Sequence, residues 1–209
     1  MSRSIFLTFE CLLLTFGLPL LLWATADRFL MVCALWGGGV LSVIYLWRTG
    51  TLRASWRGAG ITKDYKFMLA ARFVTLTISA LILTVILFPE RLFSFPINRP
   101  QIWLLVMALY PILSALPQEL VYRGFFFQRY GNIASPRLLM TLSAIAYGLT
   151  HLMMNNPVAP ILSIFGGLLF AQSYARHKSL LWVTIEHAAY GCMIFTTGLG
   201  YFFYIGNWR

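Results

Sequence analysis

Long apolar runs, broken by short polar stretches, make up most of the chain. A helix needs about 20 apolar residues, at about 1.5 Å each, to cross a bilayer core. Seven runs approach or exceed that length: residues 5–24, 28–47, 67–88, 102–130, 137–155, 158–175 and 179–198. The fourth is the longest and contains Pro111 and Pro117. The stretch from Arg48 to Lys66, with Gly50, Gly58 and Gly60, is the longest polar connection. The pattern predicts an all-α, polytopic membrane helical bundle of about seven transmembrane helices, in one membrane domain over 1–209. Within it, an N-terminal helical hairpin, 1–47, precedes a helical core, 67–198. The aromatic end, Tyr201 to Arg209, reads as an interfacial tail, with a short eighth helix as the alternative.

Composition supports lipid as the solvent. Of 209 residues, 59% are hydrophobic and 11% charged, and the mean hydropathy is +0.75. A soluble domain of this length has no way to hide so much apolar surface. Arg3 before the first run and Ala24-Thr25-Ala26 after it resemble a signal peptide. The run is longer than an ordinary signal h-region, so an uncleaved anchor is expected.

The net charge of +10 raises the question of nucleic acid, but its distribution answers differently. Arg48, Arg53, Arg57, Lys63 and Lys66 fall after the second run, Arg129 and Arg137 flank the loop after the fourth, and Arg176 and Lys178 fall after the sixth. The other side holds only Arg28, Arg91, Arg99 and Arg209. This is the positive-inside pattern. It predicts a cytoplasmic N-terminus, basic loops against anionic lipid, the bilayer as partner, and no nucleic-acid partner. Cys11, Cys33 and Cys192 are dispersed within apolar runs, without disulfide or metal-ligand spacing. Gly37-Gly38-Gly39, and Gly167 with Ala171, are small enough for helices to approach closely.

Ionisable groups inside a span are costly and mark function by default. The useful ones here are Glu10, Glu119, Arg123, His151, Glu186 and His187. Glu119 and Arg123 are four apart and share a helix face, where a carboxylate and guanidinium can pair. Tyr147, His151 and Asn155 also recur at intervals of four. An ion pair that only stabilises a helix, and histidines that only bridge helices, are the bland readings. Counted from the run ends, Glu119, His151 and His187 lie about 16, 20 and 12 Å from the basic side. That is one layer, and convergent carboxylate and imidazole groups suit general acid–base chemistry. A carboxylate can take a proton from water, one histidine can orient that water, and the other can stabilise the oxyanion. No metal or other cofactor is favoured. Zinc held by Glu119, His151 and His187 ranks second, because no H-E-x-x-H motif is present. Glu10 lies near the basic end of its run and is assigned no role; Glu186 points to a different face from His187.

Glu119-x-x-x-Arg123-Gly124, then Tyr147-x-x-x-His151, then Ser179-Leu180 leading to His187, resemble the three motifs of the CPBP intramembrane proteases. That family includes the type II CAAX prenyl proteases and the bacteriocin-processing and immunity proteins. Its motifs read E-E-x-x-x-R, F-x-x-x-H and H-x-x-x-N, and the resemblance covers about 102–195. It implies a glutamate-dependent membrane endopeptidase of bacterial cytoplasmic membranes, acting on peptide or protein substrates, some lipid-modified. In it, the first Glu and the second-motif His activate water, while the third-motif His and Asn form the oxyanion hole. Here Gln118 stands where the first Glu belongs, Tyr147 replaces Phe, and Gly191 stands where Asn is usual.

The resemblance therefore assigns catalysis to Glu119, His151 and His187, with Gln118, Arg123, Tyr147 and Asn155 in support. Asn155 or Tyr190 are the candidates to replace the missing Asn. Because an amide is no general base, a pseudoprotease that binds or scaffolds is the alternative. A proton-coupled transporter ranks third, since no inverted repeat is visible.

Overall fold

A computed structural model describes residues 2–58 and 60–204. Among them are nine helices and no strand. They are α1 (Arg3–Thr25), α2 (Arg28–Arg48), α3 (Leu52–Arg57), α4 (Lys63–Leu87), α5 (Ser94–Asn98), α6 (Pro100–Tyr130), α7 (Pro136–Leu149), α8 (Val158–His177) and α9 (Leu180–Thr197). The fold is a helical membrane bundle.

Short polar residues set the helix starts. Asp27, Thr62, Ser135 and Ser179 cap α2, α4, α7 and α9, each side chain accepting from an amide of the first turn. The long polar connection is not a plain loop: it folds into α3, and Gly58 turns it at φ 64°. A Cβ on Gly58 would overlap the His177 carbonyl oxygen, so this glycine lets the connection lie against the α8–α9 turn.

Among the described residues, α1, α2, α4, α6 and α8 are long and apolar enough to cross a bilayer. The expected spans over 137–155 and 179–198 are helical but do not meet that measure. α7 runs for 14 residues and then tightens into a 3-10 turn, Thr150–Met154. α9 carries Glu186 and His187 and is buried along much of its length. These are the interior helices, and Ser143, Tyr147, Glu186, His187 and Tyr190 on them are buried. A further 3-10 turn, Leu199–Phe203, follows α9. The rest of the expected tail, 205–209, lies outside the described residues.

α6 is the spine of the site. Proline has no amide donor and crowds the carbonyl one turn back. The helix widens into π turns at Pro111–Ala115 and Leu120–Phe125, on either side of the Pro117 turn. In a regular helix, residues spaced by four drift about 40° per step. Widened turns cancel that drift, which keeps Tyr110, Ser114, Gln118 and Tyr122 all on the wall of one cavity. Glycines bring neighbouring helices close. Gly39 approaches Pro117 on α6, and Gly167 sets α8 against Ala144 and Tyr147 of α7. A Cβ on Gly148 would overlap Ile164.

Candidate active site

The cavity holds about 930 Å³ and its wall is mostly apolar. Helices α1, α2, α4, α6, α7, α8 and α9 all contribute to it. Its polar side is formed by Tyr110, Ser114, Gln118, Tyr122, Tyr147, Thr150, His151 and His187.

Glu119 is fully buried behind this wall and is not among the residues that line it. Its Oε1 lies 2.7 Å from His187 Nδ1, and its Oε2 lies 3.2 Å from Arg123 Nε. Arg123 is fully buried as well. Its Nη2 donates to the Gly167 carbonyl at 2.8 Å, and its guanidinium lies 5.1 Å from the Tyr147 ring and 5.4 Å from the Phe170 ring. Aromatic faces thus take up charge that hydrogen bonds leave uncovered: Nη1 has no hydrogen-bond partner. The paired carboxylate and guanidinium offset each other's cost of burial.

His187 is held on every side. A carboxylate only accepts, so the Nδ1 proton points to Glu119 and a neutral ring presents its lone pair at Nε2. Tyr110 and Tyr147 hydroxyls each lie 3.0 Å from that Nε2. Phe170 stacks on the ring at 4.6 Å and 17°.

His151 sits in the 3-10 turn after α7. Its Nδ1 is 2.9 Å from the Tyr147 carbonyl oxygen. A carbonyl cannot donate, so Nδ1 carries the hydrogen and the lone pair of the neutral ring is at Nε2. The ring lines the cavity. The Tyr147 ring stands beside both imidazoles, 4.9 Å from His151 and 5.5 Å from His187 between centroids.

Gln118 faces the cavity, donating through Nε2 to Ser114 Oγ at 2.8 Å, while its Oε1 is buried without a hydrogen-bond partner. Neighbouring residues of one helix thus point in different directions, as about 100° per residue requires. The uncharged amide lines the cavity; the carboxylate faces Arg123 and His187.

Asn155 does not join the group. The four-residue spacing from His151 fails because the helix tightens at Thr150 and ends at Asn155 in the left-handed region, φ 52°. Asn155 is exposed and is not on the cavity wall. Its neighbour Asn156 binds the Met154 and Phe202 carbonyls and caps the Ala159 amide. Tyr190 reaches the cavity wall, but its hydroxyl donates to Glu186 at 3.0 Å.

Glu186 faces α4, where Arg72 Nη1 lies 3.0 Å from its Oε1. Glu10 takes two hydrogen bonds from Arg129 and one from Tyr130, tying α1 to the end of α6. As zinc ligands, Glu119, His151 and His187 are a poor fit: Glu119 and His187 spend their facing atoms on each other, and the second nitrogen of His187 meets two tyrosines. The described residues contain no group of three or more His, Cys, Asp or Glu set to hold a metal ion.

Tyr110, Ser114, Phe170 and Arg72 escaped the sequence reading. The first two carried a legible signal: Tyr110, Ser114, Gln118 and Tyr122 form a polar stripe at intervals of four in an apolar run. Arg72 also carried one, as a charged residue inside the 67–88 run, and Phe170 carried none.

A buried Glu–Arg–His cluster beside a polar-edged cavity lies within a bundle of apolar helices, that of a multi-pass membrane protein. Residues 100–193 match the family model of Rce1-like proteins, type II CAAX prenyl endopeptidases. That segment, α6 to most of α9, contains all three motifs, and the match agrees with the resemblance they carry. No curated protein and no solved structure matches the chain.

Proposed function

We propose that the protein is an intramembrane endopeptidase of the CAAX type, and that His151 is its general base. The observation that carries the reading is the state of His151: Nδ1 is committed to the Tyr147 carbonyl, and the ring stands on the cavity wall. Its Nε2 lone pair is a base that needs no carboxylate beside it. Water bound at His151 on the cavity wall gives a proton to Nε2 as its oxygen attacks the peptide carbonyl. As the carbon–nitrogen bond breaks, the same proton passes from Nε2 to the leaving amine. Glu119 and Arg123 act one layer back by fixing the tautomer and direction of His187. No step calls on a metal.

The apolar remainder of the cavity suits a peptide that carries a lipid, and the matched family suggests a prenyl group on cysteine. The positive-inside pattern puts cleavage toward the cytoplasmic half of the bilayer. The test is cleavage of a peptide with an S-farnesyl CAAX end by the full chain in nanodiscs. His151→Ala is expected to abolish it; wild-type turnover in that variant would sink the assignment.

A second reading rests on Gln118. The family's first Glu is an amide here, on the cavity wall, so the protein would bind the same peptides without cutting them. Under that reading the parent is silent and Gln118→Glu cleaves. A parent that cleaves excludes it.

A further inference from the structure

We propose that the Tyr110 hydroxyl is the hydrogen-bond donor to the oxyanion, in the space that Gly191 leaves open. The inference rests on the peptidase reading above and concerns the opposite side of the scissile carbonyl from His151.

Two hydroxyls lie 3.0 Å from His187 Nε2. A neutral imidazole with its proton on Nδ1 offers one lone pair there, enough for one good donor. Tyr147 is the buried one, enclosed by Tyr122, Phe170 and the Arg123 guanidinium. It spends its proton on Nε2. Tyr110 is only half-buried and lies on the cavity wall. Among the described residues, its hydroxyl has no hydrogen-bond partner besides that occupied nitrogen. Its proton is therefore left for an acceptor in the cavity.

The place it occupies is the one the resembled motif gives to asparagine. In H-x-x-x-N the Asn stands four residues after the His, which is position 191 here. A Cβ built on Gly191 would overlap the Tyr110 ring and hydroxyl. A side chain at 191 and the Tyr110 ring are thus alternative occupants of one space beside His187. The donor has moved from α9 to α6, and the glycine is what makes room for it.

In the reaction, the carbonyl electrons move onto oxygen as water adds, and the Tyr110 O–H donates a hydrogen bond to that oxygen. No proton is transferred. The electrons return to the carbonyl as the amine leaves.

The experiment uses the full chain in nanodiscs with 15N-labelled histidine. The chain has three histidines, and the His187 resonance is assigned by its loss in His187→Gln. Tyr110→Phe is expected to lower kcat for the S-farnesyl CAAX peptide about 100-fold or more. KM and the His187 Nε2 resonance stay in place. Tyr147→Phe moves that resonance, because it removes the proton donated there. Tyr110→Ala combined with Gly191→Asn regains part of the kcat lost in Tyr110→Ala, since the asparagine fills the vacated space. Undiminished kcat in Tyr110→Phe overturns the proposal, and so does a His187 shift in that variant, because the Tyr110 proton is then spent on nitrogen. If the parent cleaves nothing, the peptidase reading fails on its own. The nitrogen resonance then supports or overturns the placing of the Tyr110 proton without it.

Discussion

Glu119 and Glu186 are both buried carboxylates paired with arginine, the first packed against α9 and the second carried by it. Their surroundings differ. Glu119 sits with a fully buried arginine and a histidine whose other nitrogen reaches the cavity wall. Glu186 sits with Arg72, whose side chain is 19% exposed, and with Tyr190. The first pair orients a group at the cavity; the second clamps α4 to α9. Neither carboxylate lines the cavity, and the polar groups that do, apart from the imidazoles, are uncharged. In this bundle a buried charge marks a scaffold, and chemistry follows from which side chain that scaffold holds toward the open space.

The comparison breaks most sharply at Arg123. Arg123→Met leaves the Glu119 carboxylate buried without its cation, which costs about 3–5 kcal/mol. Thermal unfolding in detergent should show it as the largest loss among these variants. If Arg123→Met is no less stable than Arg72→Met, the two pairs are equivalent and the distinction between them fails.

Activity separates the two carboxylates next. Glu119→Gln can donate to His187 Nδ1 and so flip its tautomer, as removing a triad carboxylate does elsewhere. Peptide cleavage should fall by about 100-fold or more. Glu186→Gln should keep cleavage within about threefold, because its partners face α4, while losing about 1–2 kcal/mol of stability through the broken ion-pair contact. Equal loss of turnover in both would assign Glu186 to the site as well.

The smallest effect sharpens the boundary of the site. Asn155→Ala removes an exposed side chain away from the cavity and should change stability by no more than about 0.5 kcal/mol. Cleavage should be unchanged; a large fall in kcat would return Asn155 to the reaction.

Much of this was legible in residue order. The bundle was readable from run lengths because lipid leaves a spanning backbone no alternative to helix. The pairing of Glu119 with Arg123 followed from a spacing of four. The spacing rule failed at Asn155, where a 3-10 turn and a left-handed residue broke the period. It also missed Arg72, since a cation inside the 67–88 run gives no sign of a partner 114 positions away.

The sequence alone determined the solvent, the helical class, the order of the motifs and the uncharged amide at 118, because these depend only on composition, residue order and local period. Tertiary structure decided which side of α6 faces the cavity, and so that Gln118 meets it while Glu119 meets His187. It also decided that Gly191 is a space rather than a deficit, filled by Tyr110 from another helix. Widened turns reset the angle of every residue beyond them, and a space between helices belongs to no single segment, so neither can be read from the chain one residue at a time.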